Sequence, residues 1–238
     1  MINTETNQTQ HQADRVKIVF YTDPLCCWSW ALQAHWQQFA GEYKNQISYS
    51  YCMGGMIPDW NKFSDPFNSV SRPAQMGPVW MEAQHKTGAA INDLIWIENP
   101  PASSYPACMA VKTAALQSFE ASEIYLQAVW KAVMVDLMDI SKKDILLEIA
   151  YSESLSRPDT LNFEMFRKQY GNDGSRNAFR NDLQHVSYHK IGRFPTLTFT
   201  KGGKGLIMTG YRPYEALVAA FEHLQALHEN QYDHFKSF

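Results

Sequence analysis

The sequence lacks the features that mark membrane-spanning and nucleic-acid-binding proteins. No hydrophobic run approaches the ~18 residues needed to cross a bilayer, so we expect no membrane partner. Basic residues are not in excess, since 21 Lys and Arg face 24 Asp and Glu and give a net charge of −3. Because binding to a phosphate backbone needs a basic surface, we also expect no nucleic-acid partner.

The first fifteen residues are rich in Asn, Gln and Thr and lack the apolar segment of a secretory signal. Residues 1–15 therefore predict a disordered tail, and the protein is expected in the cytoplasm. A reducing compartment does not favour a structural disulfide framework. The question becomes which of the four cysteines, Cys26, Cys27, Cys52 and Cys108, is chemically special.

Motifs for metal and phosphate binding are also missing. The eight histidines are scattered, and His185 and His189, four residues apart, fall in a segment where we predict a loop rather than a metal pair. Gly202 and Gly203 are typical of a hairpin turn and not of a phosphate-binding loop. We predict no metal site and no tightly bound cofactor.

What the sequence does contain is strand and helix patterning at both ends. Residues 16–21 and 47–52 have the composition of strands, and residues 28–43 between them show the periodicity of an amphipathic helix. This order predicts a βαβ unit. Residues 196–200 and 205–209 predict a hairpin, followed by a helix over 213–228 that has Pro213 in its first turn.

The middle of the chain, from about residue 57 to residue 185, predicts mostly helices. Possible helix starts are Ser104, Ser141, Asp159 or Thr160, and Asp173. The pattern predicts the α/β class, with a βαβ half at 16–57 and a ββα half at 186–238. A helical insertion domain would occupy 58–185.

Cys26 occupies a chemically distinctive position. It follows the first strand and opens the first helix, where free backbone N–H groups and the helix dipole favour an anion. A thiol at such a site can have its pKa lowered from ~8.5 to between ~3.5 and 7.5. We therefore predict that Cys26 is the reactive thiol.

Here the sequence resembles the DsbA-like thioredoxin superfamily, and in particular its cytoplasmic members with the pattern Asp-Pro-(Leu/Ile)-Cys-x-Trp-Cys-Trp. The matching residues are Asp23, Pro24, Leu25, Cys26, Trp28 and Trp30. Three further stretches resemble the same group, namely residues 99–108, 193–196 and 210–217. The family's second active-site cysteine falls on Ser29, so the site is C-x-x-S.

The resemblance implies a thioredoxin fold and thiol–disulfide oxidoreductase chemistry through one redox-active cysteine. Cys26 would form mixed disulfides with glutathione or a protein thiol. Ser29 would be either the hydrogen-bond partner of Cys26 or only a residue of the first helical turn. Phe194 and Pro195 would form a loop with a cis-proline that faces Cys26 and pairs with the substrate. Trp28 is the further candidate for substrate contact.

Two other functions stay open. The same segment aligns with the Ser-Pro-Tyr-Ser-Trp pattern of kappa-class glutathione transferases and 2-hydroxychromene-2-carboxylate isomerases, in which Cys26 or Ser29 would hold the glutathione thiolate. A non-enzymatic adaptor of the same fold is the other alternative.

For Cys27, Cys52 and Cys108 we favour packing roles, and a homodimer stays open.

Overall fold

The computed structural model describes residues 15–235, so the predicted tail lies outside the described residues except for Arg15. Four strands form one sheet in the order β2-β1-β3-β4. They are β1 Val16–Thr22, β2 Ile47–Met53, β3 Thr196–Lys201 and β4 Lys204–Thr209. The α-helices of the described residues are α1 Cys27–Glu42, α2 Met76–Thr87, α3 Ile95–Glu98, α4 Tyr105–Ala115, α5 Phe119–Met134, α6 Lys143–Ser156, α7 Phe163–Gln169, α8 Asp173–Tyr188 and α9 Tyr214–Phe235.

The sheet confirms the predicted thioredoxin arrangement. β1 is parallel to β2 and antiparallel to β3, and β4 is antiparallel to β3. α1 makes the crossover that a parallel pair requires. Gly202 and Gly203 join β3 to β4 with φ angles of 55° and 77°, which glycine adopts without steric cost.

Large side chains pack α1 and α9 against the sheet. Trp36 on α1 meets Phe20 on β1 edge-on, with ring centroids 5.3 Å apart. Phe39, one turn further, contacts Phe199 of β3 and Phe221 of α9. Each of these rings is buried, and full burial of such a side chain contributes roughly 1.5–3 kcal/mol. This packing fixes the position at which α1 begins, and with it Cys26.

The insertion between β2 and β3 is built mainly from α2 to α8 around its own aromatic residues. Its first part, residues 57–75, contains only a short 3-10 helix and an isolated bridge. The carboxylates of Asp59 and Asp65 each accept backbone N–H groups two and three residues further on. Such local turns compete with helix formation. None of the described helices is both long and apolar enough to cross a membrane.

Several predicted helix starts were wrong by a few residues. Asn162 and Asn172 cap α7 and α8 by accepting from Met165 N–H and Ser175 N–H, in place of Asp159 or Thr160 and Asp173. The Ser141 hydroxyl donates to Asp139, and α6 begins at Lys143. α8 continues to Tyr188, so His185 lies on a helix and not in the predicted loop.

Candidate functional site

Cys26 is the N-cap residue of α1. Its backbone is extended, with φ −86° and ψ 101°, and its carbonyl accepts the N–H groups of Ser29 at 3.1 Å and Trp30 at 3.2 Å. The chain thus turns sharply between β1 and α1, and the thiol stands at the end of the helix that carries free N–H groups.

The Cys26 thiol faces the loop that precedes β3. Its Sγ lies 3.2 Å from the Phe194 carbonyl oxygen, to which the thiol donates. The Phe194–Pro195 peptide bond is cis, the isomer that the sequence predicts. The Thr196 hydroxyl donates to the Arg193 carbonyl at 2.8 Å and so ties the loop to the start of β3. The structure therefore brings Cys26, Phe194 and Pro195 together.

Two glycines after β2 provide the surface on which this loop rests. A Cβ added at Gly54 would overlap with the Phe194 ring. Gly55 has a φ of +60°, and a Cβ there would lie 2.9 Å from Tyr105 Cε1. The Phe194 ring thus packs on Gly54 and the Tyr105 ring packs on Gly55. Neither glycine was singled out from the sequence.

Burial changes the acidity that the sequence predicts for Cys26. The side chain is only 5% exposed, and desolvation raises its pKa to about 11. The expectation of a lowered pKa was therefore wrong for this state of the protein. Hydrogen bonds from Ser29 and from the first backbone N–H groups of α1 favour the thiolate, but burial outweighs them.

Ser29 lies beside Cys26, as predicted for the second position of the motif. Its hydroxyl is fully buried and has no hydrogen-bond partner among the described residues while Cys26 is a thiol. The same hydroxyl holds the Cys26 pKa below the value that burial alone would give. An unpartnered buried hydroxyl is costly, and a thiolate at Cys26 would give it an acceptor.

Asp23 is a site residue whose role sequence reasoning missed. This fully buried carboxylate accepts the N–H groups of Leu25 at 2.9 Å and Met56 at 2.6 Å. It also accepts the Ser104 hydroxyl at 2.9 Å and the Cys108 thiol at 3.4 Å. Asp23 therefore joins the turn before α1, the segment after β2 and the start of α4.

This network corrects the predicted role of Ser104. Its hydroxyl does not cap α4, because it donates to Asp23 and accepts the Ile57 N–H at 3.1 Å. Desolvation raises the pKa of Asp23 above its ordinary value, and the four donors only partly offset this rise. Asp23 of the motif and Ser104 at the start of α4, which are 81 positions apart in the sequence, thus belong to one buried polar cluster.

The other three cysteines are buried and free, like Cys26. Cys27 packs in the core with Sγ 4.0 Å from the Val79 carbonyl, and Cys52 donates to the Asp182 carbonyl at 3.5 Å. Burial raises the pKa of Cys27, Cys52 and Cys108 well above that of an ordinary thiol. The pKa of Cys26 is raised the least of the four, so Cys26 loses its proton most readily. No cluster of three or more metal-binding side chains occurs among residues 15–235.

Comparison with known proteins identifies the family. A sequence model described as thioredoxin matches residues 19–219, which include the Cys26 turn, the whole helical insertion and the cis-proline loop. The chain belongs to the thioredoxin family. Among curated relatives of this thioredoxin-family protein, the ClpXP adapter protein SpxH of Halalkalibacterium halodurans is 24% identical over 219 residues. The match covers 91% of this chain and 70% of the relative.

Solved structures of the same fold include DsbA-like oxidoreductases and a 2-hydroxychromene-2-carboxylate isomerase. A candidate protein disulfide isomerase from Nitrosomonas europaea superimposes with a TM-score of 0.75 at 22% identity, over 90% of this chain and 99% of that one. The cytosolic disulfide reductase DsbM of Pseudomonas aeruginosa gives 0.61 at 18%, over 91% and 98%. A second DsbM structure contains GSH. The predicted resemblance to DsbA-like proteins is confirmed.

Around the thiol of this thioredoxin-family protein, the tryptophans of the motif are half-buried. The Trp28 ring lies 6.3 Å from that of Tyr211, whose hydroxyl is 2.9 Å from His35 Nε2. Trp30 donates to the Ala90 carbonyl at 2.9 Å and thereby ties α1 to the insertion. Trp28 thus belongs to the rim of the site, where its contact with substrate stays a prediction.

We expect the alkylation of Cys26 to depend on pH as a buried thiol requires. Because only the thiolate reacts and the pKa is about 11, the rate should rise about tenfold for each pH unit between roughly pH 7 and pH 10. Iodoacetamide labelling followed by peptide mass spectrometry measures this rate for each cysteine. A plateau already reached near neutral pH, or faster labelling of Cys52, would contradict the burial argument.

We expect Gly54→Ala to disturb the thiol site through Phe194. The added methyl overlaps with the ring, so the loop must shift, and overpacking of this kind costs about 1–3 kcal/mol. Urea unfolding measures the loss, and Cys26 labelling should change with it because the thiol loses its fixed acceptor. Gly192→Ala is the matched control, since it lies in the loop that leads to Phe194, its φ like that of Gly54 is outside the left-handed region, and no atom lies within 4 Å of its added Cβ.

Proposed function

We propose that this protein carries out thiol–disulfide exchange through the single cysteine Cys26. The observation that carries the proposal is the 3.2 Å contact between Cys26 Sγ and the Phe194 carbonyl, at the helix start and beside the cis-proline loop. Support comes from the DsbA-like solved structures of the same fold. The proposed setting is the reducing cytoplasm.

The chemistry needs two exchange steps. The Cys26 thiol loses its proton, and the thiolate attacks one sulfur of a substrate disulfide, while the other sulfur leaves as a thiolate and takes up a proton. A mixed disulfide between Cys26 and the substrate results. The thiolate of glutathione, or of another low-molecular-weight thiol, then attacks the substrate sulfur of this bond and releases the Cys26 thiolate. Ser29 cannot replace the second thiol, because a hydroxyl does not form a disulfide.

Substrate binding would also activate the thiol. In the resting protein the Phe194 carbonyl holds the proton of Cys26. A substrate backbone N–H that pairs with this carbonyl would compete with the thiol for it. The Ser29 hydroxyl would then stabilise the thiolate, because it has no other partner among the described residues. Ionisation would thus be coupled to the arrival of a substrate.

Mass spectrometry with oxidised glutathione tests the exchange. At pH 8 the wild type should gain the mass of one glutathione, on the peptide that contains Cys26. The Cys26→Ser variant should gain none, and Cys27→Ser, which removes the neighbouring thiol, should behave like the wild type. Reduced glutathione should reverse the adduct. Modification that survives in Cys26→Ser, or that maps to Cys108, would contradict the proposal.

A second candidate function is that of a protein adaptor. It is favoured by the curated relative named as a ClpXP adapter, whose match extends over 91% of this chain. Such a role needs a surface for another protein and not an ionisable thiol. The burial of Cys26 and its raised pKa are compatible with it.

The two functions separate in a client-capture experiment. Wild-type and Cys26→Ser proteins are used as bait under reducing conditions and again without reductant. Under exchange, capture depends on Cys26 and is released by reductant. Under the adaptor function, both baits retain the same protein in either condition.

A further inference from the structure

A cavity lies in the helical insertion, and two of its wall residues, Tyr105 and Phe179, also contact the segment that supports the thiol site. It has a volume of about 480 Å³, within the usual range of small-molecule sites. Its walls include Tyr105 and Met109 on α4, Tyr170 after α7, and Phe179 on α8. Tyr105 and Phe179 meet edge-on with centroids 5.1 Å apart, and the Tyr170 hydroxyl donates to the Pro106 carbonyl at 3.3 Å.

The lining of this cavity carries positive charge and no acidic side chain. Lys143 makes no ion pair with any described residue. Arg176 has only a 3.8 Å contact with Asp173, in which both side chains are mostly exposed, and such pairs contribute little. Aromatic walls together with two available cations suit a ligand that has an apolar body and carboxylates.

The Gly54–Gly55 pair connects this cavity to Cys26. The Phe194 ring, whose carbonyl accepts the Cys26 thiol, rests on Gly54. The Tyr105 and Phe179 rings, which line the cavity, rest on Gly55. Consecutive Cα atoms are ~3.8 Å apart, so the two ring contacts are neighbours. The Phe194 ring and the cavity wall thus rest on adjacent residues of one segment, which places the cavity and the thiol site on neighbouring parts of the structure.

We infer that the Tyr105–Phe179 cavity binds an acidic segment of a polypeptide whose cysteine reacts at Cys26. An aromatic or aliphatic side chain would enter between the rings, and flanking Asp or Glu carboxylates would contact Lys143 and Arg176. The inference deepens the proposed exchange function, since it names the class of substrate. Long-range attraction from the two cations would mainly raise the association rate.

Binding is measured without thiol chemistry, so failure of the exchange proposal does not decide the outcome. A fluorescent peptide with Tyr flanked by Glu residues, and without cysteine, is titrated into full-length Cys26→Ser protein by anisotropy. The same peptide with Gln in place of Glu is the reference. The acidic peptide should bind at least about tenfold more tightly, and added salt should reduce the difference.

Variants test whether the cavity is responsible. Lys143→Gln with Arg176→Gln should abolish the preference for the acidic peptide. Lys168→Gln with Arg180→Gln removes the same charge from α7 and α8 outside the cavity lining and should preserve it. Lys143→Glu with Arg176→Glu should instead favour a peptide with Lys flanking Tyr. Circular dichroism checks that each variant is folded.

Three results would overturn the inference. One is equal affinity of the wild-type cavity for the acidic and neutral peptides. Another is an equal loss of the preference for the acidic peptide in the Lys168→Gln, Arg180→Gln control. The preference would then come from the net charge of the protein and not from the cavity. The third is full displacement of the peptide by glutathione at equal concentration, which would assign the cavity to small carboxylates in place of polypeptides.

Discussion

Ser29→Cys is expected to raise disulfide reductase activity by about 100-fold or more, because an intramolecular resolving step replaces a bimolecular one. Position 29 lies in the first turn of α1, and its N–H bonds to the Cys26 carbonyl at 3.1 Å. The Ser29 side chain is buried beside the Cys26 thiol and has no other partner among the described residues. A thiol there would replace a hydroxyl of similar size at the spacing of a C-x-x-C pair.

Insulin reduction in the presence of dithiothreitol, followed by turbidity, measures the gain. The comparison is made in a Cys27→Ser background, so that the neighbouring thiol cannot contribute. Ser29→Ala is the matched control, since it removes the hydroxyl without adding a thiol and should lower the rate of Cys26 alkylation. If Ser29→Cys adds nothing while the wild type turns over glutathione conjugates, the protein acts by the transferase or isomerase alternative.

The fold could be predicted from the sequence where local patterns and long-range packing agree. The apolar residues of α1, such as Trp36 and Phe39, recur at helical spacing, and the same side chains contact the sheet. Gly202 and Gly203 marked the hairpin because its turn needs positive φ at both positions. Helix starts were less accessible, since several polar residues compete for a cap and only tertiary contacts decide between them.

The candidate site could be predicted from the sequence only in part. Cys26, Ser29, Phe194 and Pro195 come together as their motifs predict. The burial of the thiol was not predictable, because it depends on the Phe194 loop that arrives 168 residues later. The role of Asp23 was hidden for the same reason: its partners Ser104 and Cys108 belong to the insertion.

Asp23→Ala is expected to destabilise the protein by about 3–5 kcal/mol, since it leaves several buried donors unpaired. Two backbone N–H groups, from Leu25 and Met56, lose their acceptor, as do the side chains of Ser104 and Cys108. Urea unfolding measures the loss. Cys108→Ala removes one weak donor and should cost less than Asp23→Ala, although it also opens a small cavity. An equal loss from both would mean that packing, and not the carboxylate, holds this region together.

Comparison with Asp23→Asn separates the charge of the carboxylate from its shape. Burial raises the pKa of Asp23 above its ordinary value of 3.8, so the folded protein binds this proton more tightly than the unfolded chain. The contribution of Asp23 is therefore complete below about pH 4 and is lost as the pH rises through the folded-state pKa. The excess stability of the wild type over Asp23→Asn should accordingly shrink between pH 4 and pH 8.

Asp59 is the matched control for this pH dependence, because its pKa has shifted in the opposite direction. Lys62 and the turn N–H groups lower the pKa of this exposed carboxylate, so its contribution is present at neutral pH and lost on acidification. The difference between the wild type and Asp59→Asn should therefore be lost only below about pH 4 and stay constant between pH 4.5 and pH 7.5, where that for Asp23→Asn shrinks. Urea unfolding at pH 3, 4.5, 6 and 7.5 measures both pH dependences. A wild-type advantage over Asp23→Asn that widens with pH would show that the four donors stabilise the anion more than burial penalises it.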